Sequence, residues 1–134
     1  MLARRHNWIA AGVGLAVVVA AASAVPGWMA ARQRDDVARA ITGGDSSRAP
    51  ELIRRYGCGG CHTIPGIPGG DGQVGGPLSD LRKRVYVAGV TGNSADNLVA
   101  WIVDPPRFSP RTAMPATGIS EREARDVAAY LYAR

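Results

Sequence analysis

Cys58-Gly59-Gly60-Cys61-His62 is the stretch whose reading decides the fold. It has the form C-x-x-C-H, the spacing at which a haem is attached covalently. On a short helical turn, positions i and i+3 lie on one side, so both thiols can reach the two vinyl groups of one porphyrin. The adjacent His62 then lies where its imidazole can ligate the iron. Cys58 and Cys61 are the only cysteines of the chain. Two such residues can also form a disulfide or a thioredoxin-like redox pair. A zinc site needs four ligands, and beyond Cys58, Cys61 and His62 the chain has only His6, on the far side of an apolar segment.

Upstream of this motif, Ser47 is placed to cap a helix opening near Ala49. Pro50 and Glu51 suit its first turn, and Leu52, Ile53 and Tyr56 supply its packing face. Gly57 lets the chain bend into the C-x-x-C-H turn. Downstream, Ile64 to Gly76 carries Pro65, Pro68 and six glycines. It matches neither G-x-x-x-x-G-K-[ST] nor a G-x-G-x-x-G run opening a helix, so it reads as a loop wrapping one haem edge.

Two more helices follow. Ser94 to Val103 has Leu98, Trp101 and Ile102 at i, i+3 and i+4, and Asp104-Pro105-Pro106 stops it. The last opens with the capping box Ser120-x-x-Glu123 and presents Ala124, Val127, Ala128 and Leu131 on one face. No segment alternates as a strand does, so the domain is expected to be all-α.

An iron bound by one histidine has a sixth position to fill. Past His62 there is no further histidine, and Met114 is the only methionine. It lies in Pro110-Arg111-Thr112-Ala113-Met114-Pro115, where Pro115 drives it toward extended geometry. A stiff non-helical loop can hold a thioether against iron with little entropy lost; the alternative role is a core methionine filling a gap. His/Met ligation raises the reduction potential relative to harder ligands and suits electron transfer.

The N-terminal part reads differently. Arg4 and Arg5 precede an uncharged stretch from His6 to Ala31, of which Ile9 to Ala31 is apolar and long enough for one membrane crossing. The two arginines place that end in the cytoplasm and the rest of the chain on the periplasmic side. Ala22-Ser23-Ala24 also fits a signal-peptidase site, but apolar character continues to Ala31, with Trp28 suited to an interface. Pro26-Gly27 is expected to kink or end the helix. Residues 1–31 are therefore read as the anchor, 32–48 as a flexible tether ending in Thr42-Gly43-Gly44-Asp45-Ser46-Ser47, and 49–134 as the domain.

Composition agrees with a cofactor-centred fold. Only 6% of residues are aromatic, and a small domain gains core from a buried macrocycle. The net charge of +5 includes Arg4 and Arg5 and gives no concentrated basic face, so nucleic-acid binding is not expected. Arg82-Lys83-Arg84 is the sharpest charge cluster, suited to haem propionates, to an acidic partner, or simply to solvent. Tyr86 and Trp101 can each hydrogen-bond a propionate or line the core.

Taken together, Cys58-Gly-Gly-Cys61-His62, Gly76-Pro77-Leu78, Trp101, Met114-Pro115 and the Ser120 to Leu131 ending resemble a class I (mitochondrial-type) cytochrome c, over about residues 49–134. The likeness is to membrane-anchored bacterial forms and to cytochrome c domains fused to terminal oxidase subunits. It implies a small fold of three main helices around one covalent haem c, with Cys58 and Cys61 attached, His62 and Met114 as axial ligands, and first and last helices crossing through Ala49, Ile53 and Tyr130. It also implies that the Pro77 carbonyl orients the His62 Nδ1–H. The expected protein is no enzyme by itself. It is an inner-membrane, periplasm-facing carrier taking single electrons from a quinol-oxidising complex to a terminal oxidase. A fixed subunit of a respiratory complex, a gas-binding cytochrome and a thiol–disulfide oxidoreductase are the alternatives.

Overall fold

The structure, a computed structural model, describes residues 27–134. The chain divides into two compact units, Met1–Gln33 and Arg34–Arg134. Most of the expected anchor, including Pro26, lies outside the described residues. Among the described residues no helix is long and apolar enough to cross a membrane. Residues 27–42 are helical (α1), with Trp28 and Met29 exposed and Arg32 stacked 3.8 Å over the Trp28 ring.

The second unit contains α2 (Ala49–Arg55), a 3-10 turn over Cys58–Gly60 and another over Leu81–Lys83. A minimal hairpin pairs β1 (Tyr86–Val87) with β2 (Thr91–Gly92), and α3 (Ala95–Val103), α4 (Pro105–Phe108) and α5 (Glu121–Ala133) follow. The three expected helices are α2, α3 and α5. The hairpin and a single bridge between Thr63 and Asp71 are the small exceptions to the all-α expectation. They are too short to alternate, so no periodic signal announced them.

α5 packs against both α2 and α3 and forms the centre of the core. Ala49 and Ile53 of α2, and Ala124, Ala128 and Ala129 of α5, are fully buried; small side chains let two helix backbones approach closely. The Ser120/Glu123 capping box forms with both reciprocal bonds, and Tyr56 donates to Glu123 at 2.9 Å, tying the end of α2 to the start of α5. Ser94 caps α3 by accepting from the Asn97 N–H.

Ser47 does not cap α2. Its N–H and hydroxyl both donate to Asp45 Oδ1, at 3.0 and 2.8 Å, so the carboxylate takes over the turn and α2 starts after Arg48 without a side-chain cap. Asp104-Pro105-Pro106 ends α3 as expected, but the two prolines then open α4, since proline is suited to a first helical turn.

The larger departure concerns residues 32–48. Instead of a flexible tether, the part from Asp35 onward lies folded against α5. Ala38 and Thr42 are buried, α1 ends at Gly43 in left-handed geometry (φ +70°), and Arg125 donates to the Thr42 carbonyl at 3.0 Å. A Cβ on Gly44 would fall 2.0 Å from the Arg125 carbonyl oxygen, so backbone meets backbone there. The Asp45 N–H donates to Asp126 Oδ1 at 2.7 Å, and Arg134 reaches Asp35 at 3.2 Å. This second layer covers Asp126, while Tyr130 and Tyr132, also buried on α5, reach Pro65 and Asn93.

Candidate functional site

The C-x-x-C-H segment leaves α2 through Gly57, whose φ of +70° no β-carbon residue adopts cheaply. The Cys58 carbonyl then accepts from the N–H groups of both Cys61 and His62, at 3.2 and 3.0 Å. The motif is thereby closed into one tight turn. Both cysteines are free thiols, Cys58 half-buried and Cys61 exposed. Burial pushes the Cys58 thiol up from its ordinary value, which keeps it protonated and a poor nucleophile at neutral pH.

The glycine-rich stretch runs back along this turn. The N–H groups of Gly72 and Gly75 donate to the carbonyls of Gly59 and Cys61, at 3.0 and 2.7 Å. Side chains would not fit. A Cβ on Gly72 would lie 2.5 Å from Gly60 backbone, and one on Gly75 would lie 2.2 Å from His62 Cε1. From α5, the Tyr130 hydroxyl donates to the Pro65 carbonyl at 2.7 Å and holds the start of the loop.

His62 Nδ1 lies 2.7 Å from the Gly76 carbonyl. A carbonyl can only accept, so Nδ1 carries the proton and Nε2 keeps its lone pair for a metal. The orienting acceptor is therefore Gly76 and not Pro77. The Pro77 carbonyl accepts instead from the Arg84 guanidinium, which also holds the Ser79 carbonyl at 3.1 Å. The sequence carries no spacing signal that distinguishes two adjacent carbonyls; the pinning of Gly75 to Cys61 decides which one faces the ring.

Trp101 and Met114 meet in a second cluster. The buried Trp101 donates its indole N–H to Met114 Sδ at 3.1 Å, and its ring lies 6.1 Å from that of Phe108. Of the two roles the sequence left open for Trp101, the buried ring takes the core one, and its N–H is directed at the thioether. The Thr112 hydroxyl accepts from the Met114 N–H at 3.2 Å, bracing the loop. Of the basic cluster, Lys83 pairs with Asp80 at 2.7 Å and Arg84 is engaged as above. Asn93, unnoticed in the sequence, anchors this region: it donates to the carbonyls of Leu81 and Arg84 and accepts from the Tyr132 hydroxyl.

Among the described residues no cluster of three or more His, Cys, Asp or Glu side chains could hold a metal ion. The donors present suit a metal that arrives inside an organic ligand: two thiols on one turn, an imidazole with its Nε2 lone pair kept available, and a lone thioether.

These features define a small helical domain whose two thiols and oriented imidazole share one tight turn. The chain belongs to the cytochrome c family: the Cytochrome c family model matches residues 46–133. A cytochrome c domain is a haem-based electron-transfer module, and membership implies covalent haem c, for which the two cysteines Cys58 and Cys61 are present. The chain is 32% identical over 88 residues to the cytochrome c oxidase subunit 2 of Alkalihalophilus pseudofirmus, a match covering 64% of this chain and a quarter (25%) of that protein. No solved structure matches the chain.

Proposed function

We propose that this chain is a monohaem electron carrier in which Cys58 and Cys61 hold the haem while His62 and Met114 are the axial ligands. The observation that carries this reading is the imidazole of His62, fixed through Nδ1 on the Gly76 carbonyl, next to both thiols and with Nε2 kept for iron. The haem supplies one iron that exchanges single electrons. The protein's part is to keep both ligands in place in either oxidation state. Gly75 lets the backbone approach the imidazole, Gly76 fixes its tautomer, and Trp101 and Thr112 position the Met114 loop. A soft thioether favours Fe(II), which suits donation to a strong oxidant.

In this reading residues 1–31 anchor the chain in a bacterial inner membrane, N-terminus cytoplasmic, with the haem domain in the periplasm. Electrons pass from a quinol-oxidising complex to a terminal oxidase. The likeness to a protein named as a cytochrome c oxidase subunit supports a respiratory partner, and it equally favours a second reading, a fixed subunit of such a complex. A thiol–disulfide oxidoreductase fits poorly, because such enzymes need a lowered thiol pKa and burial raises that of Cys58.

The test is a redox titration of the full chain matured with haem, combined with intact mass. One haem bound through two thioethers, a one-electron transition and no carbon monoxide binding to the native reduced protein are expected. Met114→Ala should open the iron to carbon monoxide. Carbon monoxide binding by the unaltered protein would refute methionine ligation.

A further inference from the structure

Residues 35–48 do what no feature of the C-x-x-C-H site requires of them. They lie against α5 and engage it at two places, around Arg125 and Asp126 and at its C-terminal end. At the first place, the Arg125 guanidinium donates to the Thr42 carbonyl and pairs with Glu121 at 2.7 Å, while Gly44 lies against the Arg125 backbone. Beside it, the buried Asp126 accepts from the Asp45 N–H. Its second carboxylate oxygen, without a hydrogen-bond partner among the described residues, lies 3.5 Å from Arg48 Nε. At its end, Arg134 reaches Asp35, whose carboxylate also accepts from Ser46. Within the segment, Thr42 donates to the Ala38 carbonyl and accepts from the Gly44 N–H, both groups being buried. Buried polar groups satisfied in this way hold a segment in one arrangement.

We infer that residues 35–48 are an integral layer of the haem domain and not a tether, which suits a carrier serving one partner held beside it in the same membrane. The consequence for reach is large. A flexible tether over residues 32–48 would span about 20–25 Å root-mean-square and let the haem sweep between separate complexes. With Asp35 onward docked and residues 32–34 helical within α1, none of that reach is left to these residues. This inference rests on the proposed N-terminal anchor only for its consequence; the docking itself stands on contacts within Arg34–Arg134.

The experiment is hydrogen exchange on the haem-loaded full chain, read by mass spectrometry over peptides spanning residues 36–48. Docking predicts that the amides of Gly43, Gly44 and Asp45 exchange at least 100-fold more slowly than in an unstructured peptide. Gly44→Val, whose side chain meets the Arg125 carbonyl, should raise exchange across 38–48 while the haem spectrum is kept. Asp126→Asn serves as the milder variant and should raise it at Asp45. Coil-like exchange in the unaltered protein, or protection unmoved by both variants, would overturn the inference. Failure of the anchor reading would show separately, as release of the unaltered chain from membranes by high salt with the exchange pattern intact.

Discussion

Replacing Trp101 by phenylalanine removes one interaction and keeps most of the ring. The indole N–H donates to Met114 Sδ at 3.1 Å, and the thioether has a second lone pair for iron. With Met114 on the iron as proposed, donation to the sulfur draws electron density from it and weakens its support for Fe(III), so the bond favours Fe(II). A typical hydrogen bond contributes about 0.5–1.5 kcal/mol. If all of that differs between the two oxidation states, the one-electron potential of Trp101→Phe should fall by about 20–65 mV, at 59 mV for each tenfold change. Sulfur is a weak acceptor, which places the expectation in the lower half of that range. Spectroelectrochemistry of the haem-loaded variant at several pH values measures it. A potential that stays put or rises would refute the reasoning. A change confined to the pH dependence would put the N–H on a propionate, the alternative the sequence left open.

Three further outcomes follow from the geometry. Gly75→Ala sets a methyl 2.2 Å from His62 Cε1; overpacking of this kind costs about 1–3 kcal/mol, and thermal melting should fall by about 4–8 °C per kcal/mol for a domain near this size. Tyr130→Phe leaves the Pro65 carbonyl without its donor, a loss of about 1 kcal/mol, with faster exchange at the Ile67 and Gly70 amides as the readout. Glu123 is held below its ordinary 4.5 by the Ser120 hydroxyl and N–H and by Tyr56. Its contribution is therefore present above about pH 4.5 and is lost as pH falls through the lower folded value. Glu123→Gln should be less stable at neutral pH, and the gap in melting temperature should close on acidification; a gap constant from pH 7 to pH 2 would contradict this.

Local chemistry was legible without coordinates. The C-x-x-C-H turn, the capping box at Ser120 and Glu123, and the i, i+3, i+4 faces of α3 and α5 all rest on contacts between near neighbours, and they stand where short-range rules put them. Met114 could be singled out because the chain has no other methionine or histidine past His62.

What tertiary structure alone decided is which of several equivalent groups meets a distant one. Gly76 rather than Pro77 faces the imidazole because Gly75 is pinned to Cys61; Trp101 points at sulfur because α3 and the Met114 loop converge. Asp45 captured Ser47 and left α2 without its expected cap. The polar, glycine-bearing run 42–48 has the composition of a linker, and only the backbone of α5, lying against Gly44, makes it part of the core. Composition reports whether a segment can bury itself alone; a segment satisfied by another element's carbonyls and carboxylates gives no such sign until both are brought together.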